Sequence, residues 1–250
     1  MPQQHNAFPD ERIERIRTLL HEHADPQHAL FHREYHKSQL MFHGLRAPVL
    51  KQLYRSVFPS RSRLDEDGLS GIVNQLWHSG CWEETMLAIM LLERHQRQLP
   101  LDYIASILTM TRECEGWAQL DGLACGVLSQ MALRFDAAEE LRRQFYGDVA
   151  AWAEDSCMWT RRASILVHIH PARQARLAED YCWDTWASRL HEKEFFIRKA
   201  IGWVLREASK QYPQQVHDFL LRVGDRASGL TRREGARNLP SQLRIGILGK

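Results

Sequence analysis

The stretch EFFIRKAIGWVLREASKQYP, residues 194–213, decides the fold class. Its side chains Ala200, Ile201, Val204, Leu205 and Ala208 recur at i, i+3 and i+4, the spacing that lines one face of an α-helix. The same pattern continues outward along the chain. Ile13, Ile16, Leu19 and Leu20 form a stripe that opens after Asp10; Leu69, Ile72, Val73, Leu76 and Trp77 form a second; Met86, Ile89, Met90 and Leu92 form a third. Between stripes stand Pro26, Pro48, Pro59, Gly80, Pro100, Gly116, Pro171 and Pro213, residues that break or punctuate helices. The apolar run 164–169 continues a helical pattern from near Trp159, and His168 and His170 before Pro171 read as a helix end, where imidazoles favour the terminal carbonyls. No segment reads as a strand.

The helices pair. Units begin near Trp82, Trp117, Trp159 and Glu194, which are 35, 42 and 35 residues apart, within the periods of roughly 34–47 residues found in stacked helix-pair repeats. The expected architecture is therefore an all-α repeat solenoid, whose concave face offers an extended binding surface. No low-complexity linker interrupts residues 1–250, so a single domain is expected.

Composition narrows the function classes. No run of 18 apolar residues occurs, so no membrane span is expected, and residues 1–25 mix charges of both signs without the apolar core of a secretory leader. The five cysteines, Cys81, Cys114, Cys125, Cys157 and Cys182, are odd in number and form no CxxC pair. They argue against a disulfide framework and for a reducing, cytoplasmic setting. The net charge of +2 hides an asymmetry: residues 197–250 carry eleven Lys/Arg against four Asp/Glu, or +7, which leaves −5 on the other 196. A basic C-terminal end suits contact with phosphates and equally suits a solvated helical surface.

Three groups of residues could carry chemistry. Trp117 and Asp121 lie four apart, on one face of a helix. Arg161 and Arg162 follow Trp159, and Trp203 sits among basic residues; filling a core is the plain alternative for any one of these tryptophans. His28, His32 and His36 are spaced for a helix face, but HExxH is missing and no acidic ligand stands at a fixed offset, so neither a metal nor a cofactor is expected. The chain has no GxSxG, GxxxxGK[ST] or GxGxxG, and its cysteines fall mostly in apolar helical contexts, where inert thiols are the rule.

Five blocks carry a resemblance: YHKSQLMFHGLRAP (35–48), GWAQLDGLA (116–124), WTRRASIL (159–166), EFFIRKAIGWVLREASKQYP (194–213) and LTRREGARN (230–238). Together, in order, they resemble AlkD-type DNA alkylation repair glycosylases. That family is similar in fold to HEAT-repeat solenoids and holds duplex DNA in a concave groove. The resemblance implies a monomeric enzyme that hydrolyses the N-glycosidic bond of cationic purines such as 3-methyladenine and 7-methylguanine, acting through the sugar without enclosing the base. It places the catalytic carboxylate on Asp121, the aromatic walls on Trp117 and Trp203, the phosphate-contacting arginine on Arg162 and a DNA-proximal tyrosine on Tyr35; Arg161 and Arg46 join the expected DNA contacts. Two departures stand out: Gly116 replaces the first of the family's paired tryptophans, and Arg46 stands where a neutral polar residue is usual.

Two other readings compete: a non-catalytic helical module that binds DNA or protein, and alkyl transfer to a cysteine. Under the glycosylase reading no lysine lies in the Asp121 motif, so no Schiff base should form. Borohydride added during reaction with methylated duplex DNA is expected to trap no protein–DNA adduct; a trapped adduct would contradict the assignment.

Overall fold

The protein is described by a computed structural model that covers residues 10–60 and 64–247. Residues 1–9, part of the segment read as lacking a leader, and Lys250 of the basic end lie outside these. The described residues are all-α, with one isolated parallel bridge between Met41 and Cys81. They fall into two compact units, Met1–Gln98 and Leu99–Lys250.

The first unit holds α1 (Glu11–Glu22), α2 (Pro26–His36), α3 (Ala47–Val57), α4 (Glu66–Trp77) and α5 (Trp82–His95). Helix starts are written in the sequence: the side chains of Asp10, Asp25 and Asp65 accept the N–H groups of Arg12, His28 and Gly68 at 2.9, 3.0 and 2.9 Å, satisfying donors that a helix N-terminus leaves orphaned. Pro26 and Pro48 open helices rather than merely separating them, because a missing N–H costs nothing in the first turn. The α4 stripe is buried as expected, and in α1 Ile13, Ile16 and Leu20 are buried while Leu19 is half-buried. In α5 only Ile89 and Leu92 of the expected stripe are buried, together with Leu87, Ala88 and Leu91, while Met86 and Met90 are half-buried.

Glu83, buried on α5, organises the loop before α3. Its two carboxylate oxygens accept the backbone N–H groups of His43, Gly44 and Leu45 at 3.1, 2.7 and 3.1 Å. Three N–H donors are what a buried carboxylate requires. Gly44 holds φ +86°, and a Cβ there would lie 2.2 Å from the carbonyl oxygen of Asp25, so no other residue fits this close approach. The three histidines of α2 do share a face, but as packing groups. His28 and His32 have ring centroids 4.1 Å apart, and His36 packs against Trp82 at 4.2 Å and Phe42 at 6.2 Å.

The second unit runs α6 (Ile104–Glu113), α7 (Trp117–Asp121), a π-helical segment (Gly122–Leu128), α8 (Ser129–Phe135), α9 (Glu139–Ala151), α10 (Met158–Leu166), α11 (Ile169–Arg173), α12 (Glu179–Ser188), α13 (Phe195–Ala208), α14 (Pro213–Val223), α15 (Gly229–Gly235) and α16 (Ser241–Arg244), with short 3-10 turns between some of them. The starts expected near Trp117, Trp159 and Glu194 coincide with α7, α10 and α13 to within a residue. Helix α10 packs on α6, α7, α12 and α13, and α13 packs on α11 and α15. Gly202 permits the last approach, since a Cβ there would lie 2.7 Å from that of Glu234. All five stripe residues of α13 are buried.

One expectation is corrected. His168 does not close a helix by meeting C-terminal carbonyls: it is the N-cap of α11 and belongs to the core. Its ring stacks on Tyr146 at 5.5 Å and meets Trp186 edge-on at 5.7 Å, and its Nδ1 has no hydrogen-bond partner. Burial pushes its pKa down to about 3. The same cause lowers His32, His36 and His170. These imidazoles stay neutral when folded but take protons when unfolded near an ordinary pKa of about 6.5. Their contribution to stability is therefore complete above that value and is lost as pH falls toward the folded pKa. Thermal melting followed by circular dichroism should show a midpoint that is level above about pH 7 and falls steadily from roughly pH 6.5 to pH 4. His168→Phe should flatten that fall; a midpoint independent of pH across the range would contradict the account.

Candidate active site

The centre of the second unit is an ion pair between two helices. Asp121 ends α7, and Arg162 lies in the middle of α10. The Arg162 Nε and Nη2 donate to the two oxygens of Asp121 at 2.9 and 3.0 Å, while Nη1 donates to the carbonyl of Phe196 in the first turn of α13. The arginine side chain is 2 % exposed and the aspartate 17 %. A planar fork meeting a carboxylate through two parallel bonds fixes the orientation of both groups. The third bond ties the pair to α13, whose Phe196 ring centroid lies 5.7 Å from the guanidinium carbon. The carboxylate thus keeps a solvent-facing edge, with its rear held by a buried cation.

Trp117 opens the turn that Asp121 closes, and it is half-buried. Four residues of α-helix place the two on one face. Trp203 is also half-buried. It lies seven residues beyond Phe196, which is two turns and about 10 Å along the same face of α13. The structure therefore brings Asp121 and Arg162 into direct contact, sets Trp117 on the same turn, and puts Trp203 on the helix to which the pair is anchored. Immediately after Asp121 the backbone enters the π-helical segment, a register change that in proteins often accompanies a functional position.

Both expected DNA-contacting arginines of α10 are also engaged within the protein. Arg162 closes its fork on Asp121, where the sequence reading placed it on a phosphate. Arg161, one residue earlier, turns to Glu192, donating from Nε at 3.0 and 3.1 Å and from Nη2 at 2.9 Å; its Nη1 serves the carbonyls of Asp155 and Ser156. Tyr35 and Arg46 belong to the first unit. Tyr35 is exposed on α2 with its ring 6.2 Å from that of Phe31, and Arg46 is exposed at the start of α3. Among the described residues, no three His, Cys, Asp or Glu side chains are grouped to hold a metal ion, and no helix is long and apolar enough to cross a membrane.

Sequence reasoning missed the aromatic edge beside the pair. Trp159 meets Phe196 at 5.1 Å, Phe196 meets Phe195 at 5.4 Å, and the Lys199 ammonium stands 5.7 Å from the Phe195 ring. Phe195 is 55 % exposed. The available signal was two phenylalanines at the first positions of a helix, ahead of its buried stripe, where apolar side chains have no core to enter.

Comparison with known proteins agrees with this architecture. A family model described as "DNA alkylation repair enzyme" matches residues 16–239. A solved structure described as "Predicted DNA alkylation repair enzyme from Enterococcus faecalis" superposes with a TM-score of 0.70, at 21% sequence identity, covering 87% of this chain and 97% of that one. At that identity the likeness concerns the fold. No curated protein matches the chain.

Removing one member of a buried pair leaves the other uncompensated. Arg162→Met should lower the unfolding free energy by roughly 3–5 kcal/mol in urea titration, and the double variant Asp121→Asn/Arg162→Met should recover much of that loss. A single-variant cost below about 1 kcal/mol, the range of exposed ion pairs, would show that the fork is not a buried anchor.

Proposed function

The chain belongs to the DNA alkylation repair enzyme family, and from that premise we infer that it is a monofunctional glycosylase that hydrolyses the N-glycosidic bond of cationic alkylated purines, of the 3-methyladenine and 7-methylguanine type, in duplex DNA. The observation that carries this reading is the partly exposed Asp121 carboxylate, oriented by a buried arginine and set one turn from the half-exposed Trp117.

Alkylation at N3 or N7 puts a positive charge on the base. When the glycosidic bond breaks, its electron pair goes to the base, which leaves neutral and needs no general acid. The sugar is left with oxocarbenium character at C1′. A water oxygen then bonds to C1′ and gives up a proton, so the products are an abasic sugar, the neutral alkylated base and one proton. Asp121 serves this sequence twice, by stabilising the developing cation and by orienting or deprotonating the water.

The partner arginine does not cancel the carboxylate. A sugar carbon ~3.5 Å from the carboxylate and ~7 Å from the guanidinium would still feel roughly half of the bare attraction, because Coulomb energy falls as the reciprocal of distance. In exchange the arginine holds the oxygens in place, so little reorganisation is needed as charge develops. Indole faces such as those of Trp117 and Trp203 add on the order of 0.5–2 kcal/mol each toward a nearby cation. Chemistry that runs through the sugar needs no enclosing base pocket, and the enzyme works as a monomer on the duplex.

One observation favours the non-catalytic reading: a carboxylate paired with an arginine 2 % exposed has the form of a structural ion pair. The cysteine-transfer reading is weakened for three of the five cysteines, because burial pushes the thiol of Cys81 up to about 12 and raises those of Cys114 and Cys182 strongly, suppressing the nucleophilic thiolate, and it rests on the half-buried Cys125 and Cys157. Asp121→Asn separates the first two. Chromatography of bases freed from methylated duplex DNA should show 7-methylguanine release slowed at least a hundredfold, on the order of what one electrostatic group supplies, with DNA affinity retained. Release by the parent no faster than spontaneous depurination would leave a binding module as the better account, and release by the variant at the parent's rate would take Asp121 out of the chemistry.

A further inference from the structure

Helix α7 spans five residues and carries both Trp117 and Asp121, yet its own start is weak. The N-cap is Gly116, in extended conformation and without a side chain to accept an N–H. The first backbone bond of the turn, from Leu120 N–H to the Gly116 carbonyl, is long at 3.3 Å. On the far side the chain passes into the π-helical segment, whose register differs from that of an α-helix. An isolated helical turn between such ends has little intrinsic stability, because nucleation fixes several residues for each hydrogen bond gained.

A side chain from within the turn reaches back across this gap. Gln119 Oε1 accepts the backbone N–H of Glu115 at 2.9 Å, spanning Gly116. Gln119 is 2 % exposed. It lies two residues from both Trp117 and Asp121, so it occupies the opposite face of the turn from the one they share. The contact is a half capping box shifted by one residue: Gln119, third in the helix, returns to the N–H of Glu115, just before the N-cap Gly116.

We propose that Gln119 is a positioning residue for Asp121: by closing the Glu115 N–H onto the buried side of α7, it sets the rotation of the turn and so the direction in which the carboxylate and the Trp117 indole face. It touches neither sugar nor base. The hydrogen bond ties α7 to the residue before its N-cap and holds it from the side away from Arg162, so the Asp121 end is fixed by the ion pair and the Trp117 end by the amide. The role rests on the glycosylase reading for its kinetic consequence, but not for its structural one.

The test compares three proteins. Gln119→Leu keeps approximate volume and removes the acceptor; Gln119→Glu restores an acceptor oxygen; Tyr54→Phe, which deletes the part-buried hydroxyl bond to the Met90 carbonyl in the first unit, controls for loss of stability alone. Single-turnover release of 7-methylguanine at saturating protein, well below every melting midpoint, should fall in Gln119→Leu by tenfold to a hundredfold, on the order expected for a small misplacement of a reacting group. The dissociation constant for the DNA should stay within about twofold, and Gln119→Glu should recover part of the rate while Tyr54→Phe changes neither. A Gln119→Leu rate within twofold of the parent, or a loss shared equally by Tyr54→Phe, overturns the proposal. Hydrogen exchange of residues 113–121 gives an arm that needs no activity: the Glu115 amide should exchange faster in Gln119→Leu and slowly in the parent. If the parent frees no base, the glycosylase reading fails while this arm still decides whether Gln119 holds the turn; unchanged exchange overturns it.

Discussion

A guanidinium removed from water must find oxygen for its donors, and in this protein that requirement joins three helices. Arg162 cannot be buried in α10 without a counter-charge, because an isolated ion in a low-dielectric interior costs several kcal/mol. Asp121 supplies the charge from α7, and the Phe196 carbonyl supplies the remaining acceptor from α13. Their relative placement is thereby set by directional bonds and not by apolar packing alone. The buried pair also explains why a five-residue helix persists here at all: its last side chain is anchored in the core of the neighbouring repeat.

The same arrangement suits a reaction whose difficulty is electrostatic. A cationic base leaves readily, so an enzyme that removed it would have to supply a well-placed negative charge and exclude the motion that would blur it. An exposed, mobile carboxylate would do this poorly. On the proposed glycosylase reading, one with its rear edge locked and its front edge open would present a fixed field to the sugar. The aromatic edge formed by Trp159, Phe196 and Phe195 adjoins the pair and extends the apolar surround. Within the first unit, a loop whose backbone is clasped by Glu83 leads to the exposed Arg46 at the start of α3.

The helices were readable because periodicity is a local property. Ala200, Ile201, Val204, Leu205 and Ala208 are all buried on α13, and the aspartate caps stand where short acceptor side chains precede a stripe. Pro26, Pro48 and Pro213 were read as separators and proved to be first-turn residues, a distinction that depends on which side of the proline the helix lies. His168 misled for a related reason: a histidine before a proline fits a helix end by composition, and only the packing of Tyr146 and Trp186 around it reveals a core position.

By itself, the sequence determined an all-α chain of paired helices and a tryptophan and an aspartate on one helical face, since both follow from spacing along a single element. Spacing could not tell which of Arg161 and Arg162 meets Asp121, although the resemblance singled out Arg162 for a phosphate. One step along a helix rotates a side chain by about 100°, and that rotation sends one guanidinium to Glu192 and the next, 41 residues away in sequence, to Asp121. Which of two adjacent arginines meets the carboxylate is decided by how α10 lies against α7 and α13. That is a property of non-local packing, and no local pattern encodes it.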